Sequence, residues 1–491
     1  MNEALTKPLF EAVREAFPAL PGCLAAWEGL TVGEAAAFDA PGAASPAAIR
    51  CMGHLAARSL GDATGRALER RLARTPAVLS ANLHGIDCLP EMAQAVHFFG
   101  LRELLRPCGA DERRVIPVLS CGGVALQSEA YPRGLLLFRG KGAPLRLPLF
   151  PAAMQDTIAL KAPALTERGV LAMRQKWEAS LSEAERRAVG GVLRHALAPE
   201  TLALSRFGEQ ATRINALAGA ERFPDIPRVD VVYLELEEVA RELLIDDLQR
   251  PGSVPCRMLF HPALRRGIIE QLADVRGCWS TAAAAGEPLP RTGGNGTIFF
   301  WDTDERGRRH PLRLVRDGAL LLLERPGRAF PFTPGGLADA LRGGSLYPGL
   351  FAAYATLTLE HGLRCYGGLY LAHYLPRMIR AVSEAFGAEG EDLPRPPGFS
   401  PLAAFPLTVH ARTPDGLIPA GLLELLRGGG LTREALAALA RMPLADFLPA
   451  SLWSCRRYCV PHPRVEAQPL PSGLDWKGIT LGGDAFTPPR A

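Results

Sequence analysis

The spacing of apolar residues changes at residue 76, where the pattern first predicts a sheet. PAVLSA (76–81) is a short apolar run between a proline and a polar turn, and residues 115–120 form a second, β-branched run. Between the two runs, LPEMAQAVHFFGLRELL has helical periodicity. This order predicts a Rossmann-like βαβ unit, with 76–81 and 115–120 as neighbouring parallel strands and a crossing helix near 90–104.

Helical periodicity dominates on both sides of this unit, and it sets the predicted organisation of the chain. We expect a mixed α/β fold with a mostly parallel sheet, a helical N-terminal lead-in and a helical C-terminal region. The predicted segments are a helical 1–75, an α/β core at 76–330, a helical segment packing on the core at 331–390, a Pro-rich connector at 391–406, and a C-terminal helical segment with an extended tail at 407–491.

Shorter patterns predict further elements inside the core. Ser182 and Glu185 have the spacing of a capping box, which marks a helix start. A hairpin is expected around KGA. A strand followed by an acidic helix is expected at 228–248, and a second strand followed by a helix at 256–275. Two strands joined by a charged turn are expected at 296–315, and GALLLLERP is expected to extend the sheet.

Composition narrows the classes of protein that fit the chain. The 491 residues are 48% hydrophobic and 22% charged, which is ordinary globular usage. With 55 basic and 51 acidic residues the net charge is only +4, so we do not expect nucleic acid as a partner. The N-terminus lacks the features of a secretory signal and no apolar run reaches membrane-spanning length, so we expect a cytoplasmic protein without a membrane partner.

The chain contains ten cysteines, and the absence of a secretion signal favours free thiols. The sequence leaves open whether Cys88, Cys121 or Cys365 is reactive. Cys455, Cys459 and His462 supply three zinc-binding side chains but not the fourth ligand of a structural site, so an ordinary tail segment is the expected structure and no metal site is assigned.

The first predicted strand runs into NLHGIDCLPE, which we take as the main candidate site. In open α/β sheets, ligands bind beyond the carboxyl ends of the strands. His84 is expected in an exposed turn, where it can act as a general acid and base, and Gly85 lets the backbone approach a ligand. Asp87 is the second candidate catalytic residue, with a helix N-cap as its alternative role. Cys88 is expected to pack against the sheet.

The second strand ends in a glycine-bearing loop that would face the same crevice. Ser120, Gly122 and Gly123 are candidate substrate-binding residues, and Tyr131 and Arg133 follow after a rigid turn, where the guanidinium group can hold an anion. The loop lacks the three-glycine dinucleotide spacing and the GK[ST] ending of a P-loop, so classical NAD or P-loop ATP binding is not expected.

A similar group of residue types recurs in EHGLRCYGGLYLAHYL, which the spacing predicts to be helical. Arg364, Gly367 and Gly368 are candidate substrate-binding residues there. Two glycines inside a helix are unfavourable, so close packing or ligand approach should compensate for them. His361 and His373 are secondary candidates. Glu235 and Glu237, near the end of a later strand, have the carboxylates that magnesium prefers.

Together these observations favour an enzyme of biosynthetic small-molecule metabolism. It would bind an anionic or nucleotide-containing small-molecule substrate and act as a transferase or ligase. The cofactor is unknown, with ATP and Mg²⁺ as candidates, and a homodimer is one open oligomeric state. One alternative is a metal-dependent hydrolase in which His84 and Asp87, with His361 or His373, hold zinc. The other is a non-catalytic binding or assembly protein.

Overall fold

A computed structural model of the chain describes residues 3–38, 42–109, 111–285, 287, 296–318, 320–393, 402–459, 465–471, 474 and 476–481. The fold is mixed α/β, as the pattern predicted. A four-stranded parallel sheet lies at its centre in the order β12, β1, β2, β5. Its strands are β1 (Ala77–Leu83), β2 (Arg114–Cys121), β5 (Val229–Glu235) and β12 (Arg364–Tyr366).

The predicted βαβ unit is confirmed. Strands β1 and β2 are parallel neighbours, with Leu79 opposite Val118 and Leu83 opposite Cys121, and helix α6 (Pro90–Leu105) connects them. Strand β2 also pairs with β5, from Arg114 opposite Val229 to Ser120 opposite Glu235. Residues buried on both faces make such strands continuously apolar, which is why these runs could be recognised.

Strand β12 corrects the helical prediction for residues 360–375. Arg364–Tyr366 pairs with the beginning of β1 and forms one edge of the sheet. Gly362 has a φ of +68°, which allows the chain to turn into this strand. The helix α17 begins only after Gly368, its N-cap. Gly367 and Gly368 therefore lie at a strand end, not inside a helix, and the local spacing misled because the strand has only three residues.

Helices cover the sheet from both ends of the chain, as predicted. The N-terminal helices are α1 (Glu3–Ala16), α2 (Leu20–Ala25), α3 (Val32–Ala35), α4 (Pro46–Leu60) and α5 (Asp62–Arg74). The C-terminal helices are α18 (Leu422–Arg427), α19 (Arg433–Arg441) and α20 (Leu448–Cys455). Part of the Pro-rich connector (394–401), His462 and the final residues 482–491 lie outside the described residues.

The middle of the chain supplies the remaining helices. They are α7 (Glu167–Trp177), α8 (Glu183–Ala196), α9 (Pro199–Leu202), α10 (Phe207–Glu221), α11 (Leu236–Asp247), α12 (Val254–Phe260), α13 (Pro262–Gln271), α14 (Thr281–Ala284), α15 (Pro334–Arg342), α16 (Leu350–Ala355) and α17 (Leu369–Ala388). The capping box of Ser182 and Glu185 at α8 is confirmed. The strand predicted within 256–275 is wrong, because α12 and α13 occupy that segment.

Four small sheets surround the central one. The predicted hairpin is β3 (Gly134–Leu137) with β4 (Leu145–Pro148), and β6 (Phe300–Thr303) pairs with β7 (Arg309–Pro311) across the charged turn. Strand β6 also pairs with β11 (Leu346–Pro348). The run GALLLLERP joins a separate sheet instead of extending this one, made of β8 (Arg313–Asp317), β9 (Leu320–Arg325) and β10 (Arg328–Pro331). The last sheet contains β13 (Val409–Thr413), β14 (Gly416–Pro419) and β15 (Ile479–Leu481).

The central sheet separates two hydrophobic cores. Successive residues of β5 alternate between them: Val231 and Tyr233 belong to one core, and Val232 and Leu234 to the other. Helix α6, the N-terminal helices α1, α2 and α3 and the C-terminal helices cover the first face, while α4, α5, α11 and most of residues 254–386 cover the second. In the part of the chain that the structure describes, no helix combines the length and apolarity that crossing a membrane requires.

Candidate functional site

The loop after β1 is buried, which corrects the prediction that His84 lies in an exposed turn. The His84 side chain is fully inaccessible to solvent. Its Nε2–H donates to the carbonyl oxygen of Gly208, 2.9 Å away, so Nδ1 accepts from the Ser120 hydroxyl at 2.6 Å. Helix α10 carries Gly208 over the loop. Burial lowers the pKa of His84 to about 4, so the imidazole is neutral near pH 7.

Asp87 is held in the same buried network. The hydroxyl of Tyr233 on β5 donates to its Oδ2, and its backbone N–H donates to Asn215 Oδ1 at 3.0 Å. Asn215 also donates to the carbonyl of Gly85 at 2.7 Å, so α10 fixes the loop at two points. The N-cap of α6 is Leu89, so the alternative role of Asp87 as N-cap is wrong as well. Cys88 is 1% exposed, as expected for packing.

Gly85 is required by packing in this loop. Its φ is +156°, and a Cβ added to it would lie 2.8 Å from the Cα of Pro132. Pro132 belongs to the turn that follows β2, so the two predicted loops do meet. They meet in the interior of the protein rather than across an open crevice.

The glycine loop after β2 already binds an anion, and that anion belongs to the protein. Glu237 Oε2 accepts from the backbone N–H of Gly122 at 2.7 Å, and its Oε1 accepts from Gly123 at 2.8 Å. The thiol of Cys121 donates to Oε1 at 2.9 Å. A carboxylate thus occupies the two N–H groups that the sequence analysis assigned to the substrate. Burial and the Glu237 charge raise the pKa of Cys121 well above its usual value, which makes a thiolate unfavourable.

Tyr131 and Arg133 support the β3–β4 hairpin. Tyr131 is buried with a φ of +53°, and the Arg146 guanidinium lies over its ring, 5.2 Å from the centroid. Arg133 Nε donates to the carbonyl of Phe150 at 2.9 Å. Neither residue lines the cavity described below, so the structure does not bring them to the other candidates.

The residues around β12 are divided between the two ends of that strand. Arg364 starts β12 opposite Ala77, the first residue of β1, and therefore lies away from the carboxyl ends. Gly367 packs against β1: a Cβ added to it would lie 2.7 Å from the carbonyl oxygen of Ser80. Gly368 lines the cavity, and it is the one substrate-binding candidate from the sequence that does so in the described chain.

A cavity of about 420 Å³ lies beyond the carboxyl ends of the central strands. Leu83 ends β1 at its wall, Cys121 ends β2, Glu237 follows β5, and Gly368 follows β12. The predicted position of the site therefore coincides with a cavity, although most of the predicted residues do not line it. Aromatic side chains form much of the wall, namely Phe299, Trp301, Phe351, Tyr354, Tyr370, Tyr374, Phe405 and Tyr458.

Several polar side chains interrupt this largely apolar wall, and the acids among them are Glu91, Glu129 and Glu237. The hydroxyl groups of Ser80 and Tyr354 are hydrogen-bonded to each other at 2.7 Å. Arg309 Nη1 donates to the carbonyl of Gly123 at 2.6 Å, and its guanidinium lies over Trp301, 4.4 Å from the centroid. Arg457 also lines the cavity. An apolar cavity with a few placed polar groups is the usual form of a small-molecule site.

An acidic cluster around Arg206 lies behind this wall. Arg206 lies 3.6 Å from Glu235, 3.7 Å from Glu238 and 3.8 Å from Glu209. Burial raises the pKa of Glu235 to about 8, against the lowering effect of Arg206. Glu235 is therefore mostly protonated at neutral pH, which makes it a poor magnesium ligand. Glu237, the other magnesium candidate, is occupied by the glycine loop.

Of the side chains named for a zinc hydrolase, His361 belongs to a different hydrogen-bond network from His84 and Asp87. His361 contacts Ser45 Oγ through Nδ1 at 2.6 Å and Asp247 Oδ2 through Nε2 at 3.0 Å, whereas His84 and Asp87 lie in the loop under α10. Over the described ranges, no group of three or more His, Cys, Asp or Glu is arranged to hold a metal ion. The Ser45–His361–Asp247 chain resembles a catalytic triad in its order, but Ser45 also caps α4 by accepting from Ala48.

Arg309 and the aromatic residues of the cavity were missed because each looked ordinary in sequence. Arg309 belonged to a charged turn, and Glu237 was considered only as a magnesium ligand. The aromatic residues between Tyr347 and Tyr374 were the available signal, since tyrosine is rare in this chain, which has only eight. Comparison with family models, with curated proteins and with solved structures finds no match to this chain. The geometry of the cavity is therefore the basis for a functional assignment.

Proposed function

We propose that this chain is an enzyme of small-molecule metabolism, of the transferase or ligase class, and that its substrate binds in the strand-end cavity. One observation carries the proposal: all four central strands deliver residues to a cavity of about 420 Å³, at the edge where open α/β sheets bind ligands. Its volume is within the usual range for small-molecule sites. The aromatic wall favours a substrate with a planar or acyl apolar part.

Glu237 is the residue to which we assign the chemistry. A carboxylate offers about four acceptor positions, and the three donors at Cys121, Gly122 and Gly123 leave one for a ligand. Anchored in this way, Glu237 can accept a proton from the attacking group of a substrate, which is the step that group transfer requires. Phosphate binding at Gly122 and Gly123 would first have to displace Glu237, so ATP with Mg²⁺ stays a prediction that rests on the sequence.

Binding is tested with 1-anilinonaphthalene-8-sulfonate, an aromatic anion whose fluorescence rises in apolar cavities. We expect one saturable site per chain, and we expect Val124→Trp, which fills the cavity, to weaken binding at least tenfold. Leu171→Trp adds the same side chain at an exposed position of α7 and serves as the control. Equal binding by Val124→Trp and the unmodified protein would place the probe elsewhere and contradict the proposed site.

Catalysis is tested by a turnover screen. Acyl thioesters, or ATP with Mg²⁺, are offered with pools of small metabolites, and protein-dependent products are detected by mass spectrometry. We expect Glu237→Gln to lower turnover by about 10²-fold or more, the usual contribution of a general base, while probe binding is retained. Probe binding without protein-dependent product from any donor would indicate a binding protein and contradict the enzyme assignment.

A further inference from the structure

A second cavity, of about 340 Å³, adjoins the aromatic one. Glu91 and Arg457 line both cavities, so these two side chains form the wall between them. Helix α20 ends at Cys455, and the tight turn that follows places Arg457 in this wall and Arg456 beside it, in the lining of the second cavity.

Both arginines have buried N–H groups with no hydrogen-bond partner among the described residues: Nη1 of Arg456 and Nε of Arg457. Arg457 is 14% exposed, and its Nη2 donates to the Tyr458 hydroxyl at 2.6 Å. The guanidinium of Arg456 lies over the Trp453 ring, 3.4 Å from its centroid, which fixes its plane. A buried donor without an acceptor is unfavourable, and the planar arginine fork matches a carboxylate or phosphate.

Glu91 is the ion-pair partner of Arg457, but it does not satisfy all the N–H groups of the arginine. Its Oε2 lies 3.0 Å from Arg457 Nη2, but not in a direction that makes a hydrogen bond. The contact therefore depends on charge alone, and it leaves the Nε–H of Arg457 unused. An anionic group with two oxygen atoms could accept from the Nε–H and the Nη2–H of Arg457 together. Such a group would therefore have an advantage over Glu91 at this position.

We propose that Arg456 and Arg457 form a subsite for an anionic group of the substrate, a carboxylate or a phosphate, whose apolar body occupies the aromatic cavity. The substrate class is thus an amphipathic anion, with the charged end in the second cavity. This inference rests on the proposed function, since it places the apolar body in the cavity already assigned. Glu466, which also lines the second cavity, favours a singly charged carboxylate over a phosphate monoester, which carries nearly two negative charges at neutral pH.

The test compares matched pairs of naphthalene probes on the full chain. Naphthyl alkanoic acids of increasing chain length are measured against the alcohols of the same length, and naphthyl alkyl phosphates form a third series. At the best chain length we expect the charged probe to bind at least tenfold more tightly than the alcohol, which is about 1.4 kcal/mol. The preferred series, acid or phosphate, identifies the anionic group.

Substitutions then show which residues cause the preference for the charged probe over the alcohol. Arg457→Met and Arg456→Met should each reduce it at least severalfold while the alcohols bind as before, whereas Arg427→Met, at an exposed arginine elsewhere, should leave it unchanged. Glu91→Gln removes the competing carboxylate and should strengthen binding of the charged probes. Arg457→Lys, which keeps the charge, covers the case in which Arg457→Met does not fold.

The outcomes separate this inference from the proposed function. Alcohols and charged probes that bind equally, with Val124→Trp weakening both, would overturn the anionic subsite and leave the aromatic cavity in place. A charge preference that survives both arginine substitutions would also overturn it. Binding of neither series would contradict the subsite and the proposed function together.

Discussion

Glu237 Oε2 accepts a hydrogen bond of 2.7 Å from the backbone N–H of Gly122, so the loop that the sequence assigned to a ligand anion is filled by a side chain of the protein. Free N–H groups at the end of a strand require an acceptor, and the carboxylate of Glu237 on α11, the helix that follows β5, meets this need as well as a phosphate does. The same bond holds the carboxylate of Glu237 at the cavity wall.

Removing this carboxylate should expose an anion site. We expect Glu237→Ala to lower stability by about 1–3 kcal/mol, because two buried N–H groups lose their acceptor. Inorganic phosphate should then raise the melting temperature of Glu237→Ala more than that of the unmodified protein. Glu242→Ala, an exposed position on the same helix, is the control. A phosphate response equal in both variants would show that the glycine loop does not recruit the ion.

His84 should contribute to stability rather than to proton transfer. Its folded pKa of about 4 lies below the ordinary 6.5, so its protonation favours the unfolded state. This contribution is complete above pH 6.5 and is lost as the pH falls towards 4, by up to about 1.4 kcal/mol per pH unit. We expect His84→Gln to destabilise most at pH 7 and progressively less towards pH 4, as measured by urea unfolding. A destabilisation independent of pH would contradict a neutral buried imidazole.

Glu235 should give a pH dependence of the opposite sign. Its folded pKa of about 8 lies above the ordinary 4.5, so its contribution to stability is complete below pH 4.5 and is lost as the pH rises towards 8. Glu235→Gln does not titrate, and we therefore expect its stability relative to the unmodified protein to increase from pH 5 to pH 8. Chemical unfolding at several pH values measures this difference. A constant difference would mean that the carboxyl is ionised throughout.

Gly85 should tolerate no side chain. A Cβ would lie 2.8 Å from both Cα and Cβ of Pro132, and backbone cannot yield as a flexible side chain can. We expect Gly85→Ala to cost about 1–3 kcal/mol, the usual effect of overpacking. Gly109→Ala, where an added Cβ meets nothing within 4 Å, should change the unfolding midpoint little. If both variants unfolded alike, close approach to Pro132 would not be the reason for the glycine.

The sequence by itself determined most of the local elements and the edge of the sheet at which a cavity lies. The apolar runs 76–81 and 115–120 are short, and the helical pattern between them leaves parallel pairing as the arrangement that buries both. The capping box at Ser182 and the KGA hairpin were equally readable, because each depends on residues close together in the chain. The cavity position follows from the same topology, since parallel strands deliver their carboxyl ends to one edge.

Only the tertiary structure decided which side chains reach that cavity. His84 is buried because Gly208 of a distant helix covers it, and Glu237 fills the glycine loop because β5 lies beside β2. The edge strand at Arg364–Tyr366 is defined by its pairing with β1. Its three residues are too few to show a strand pattern in the sequence. A polar group in a loop must be satisfied, but whether a ligand or a remote part of the same chain satisfies it depends on contacts between segments far apart in sequence.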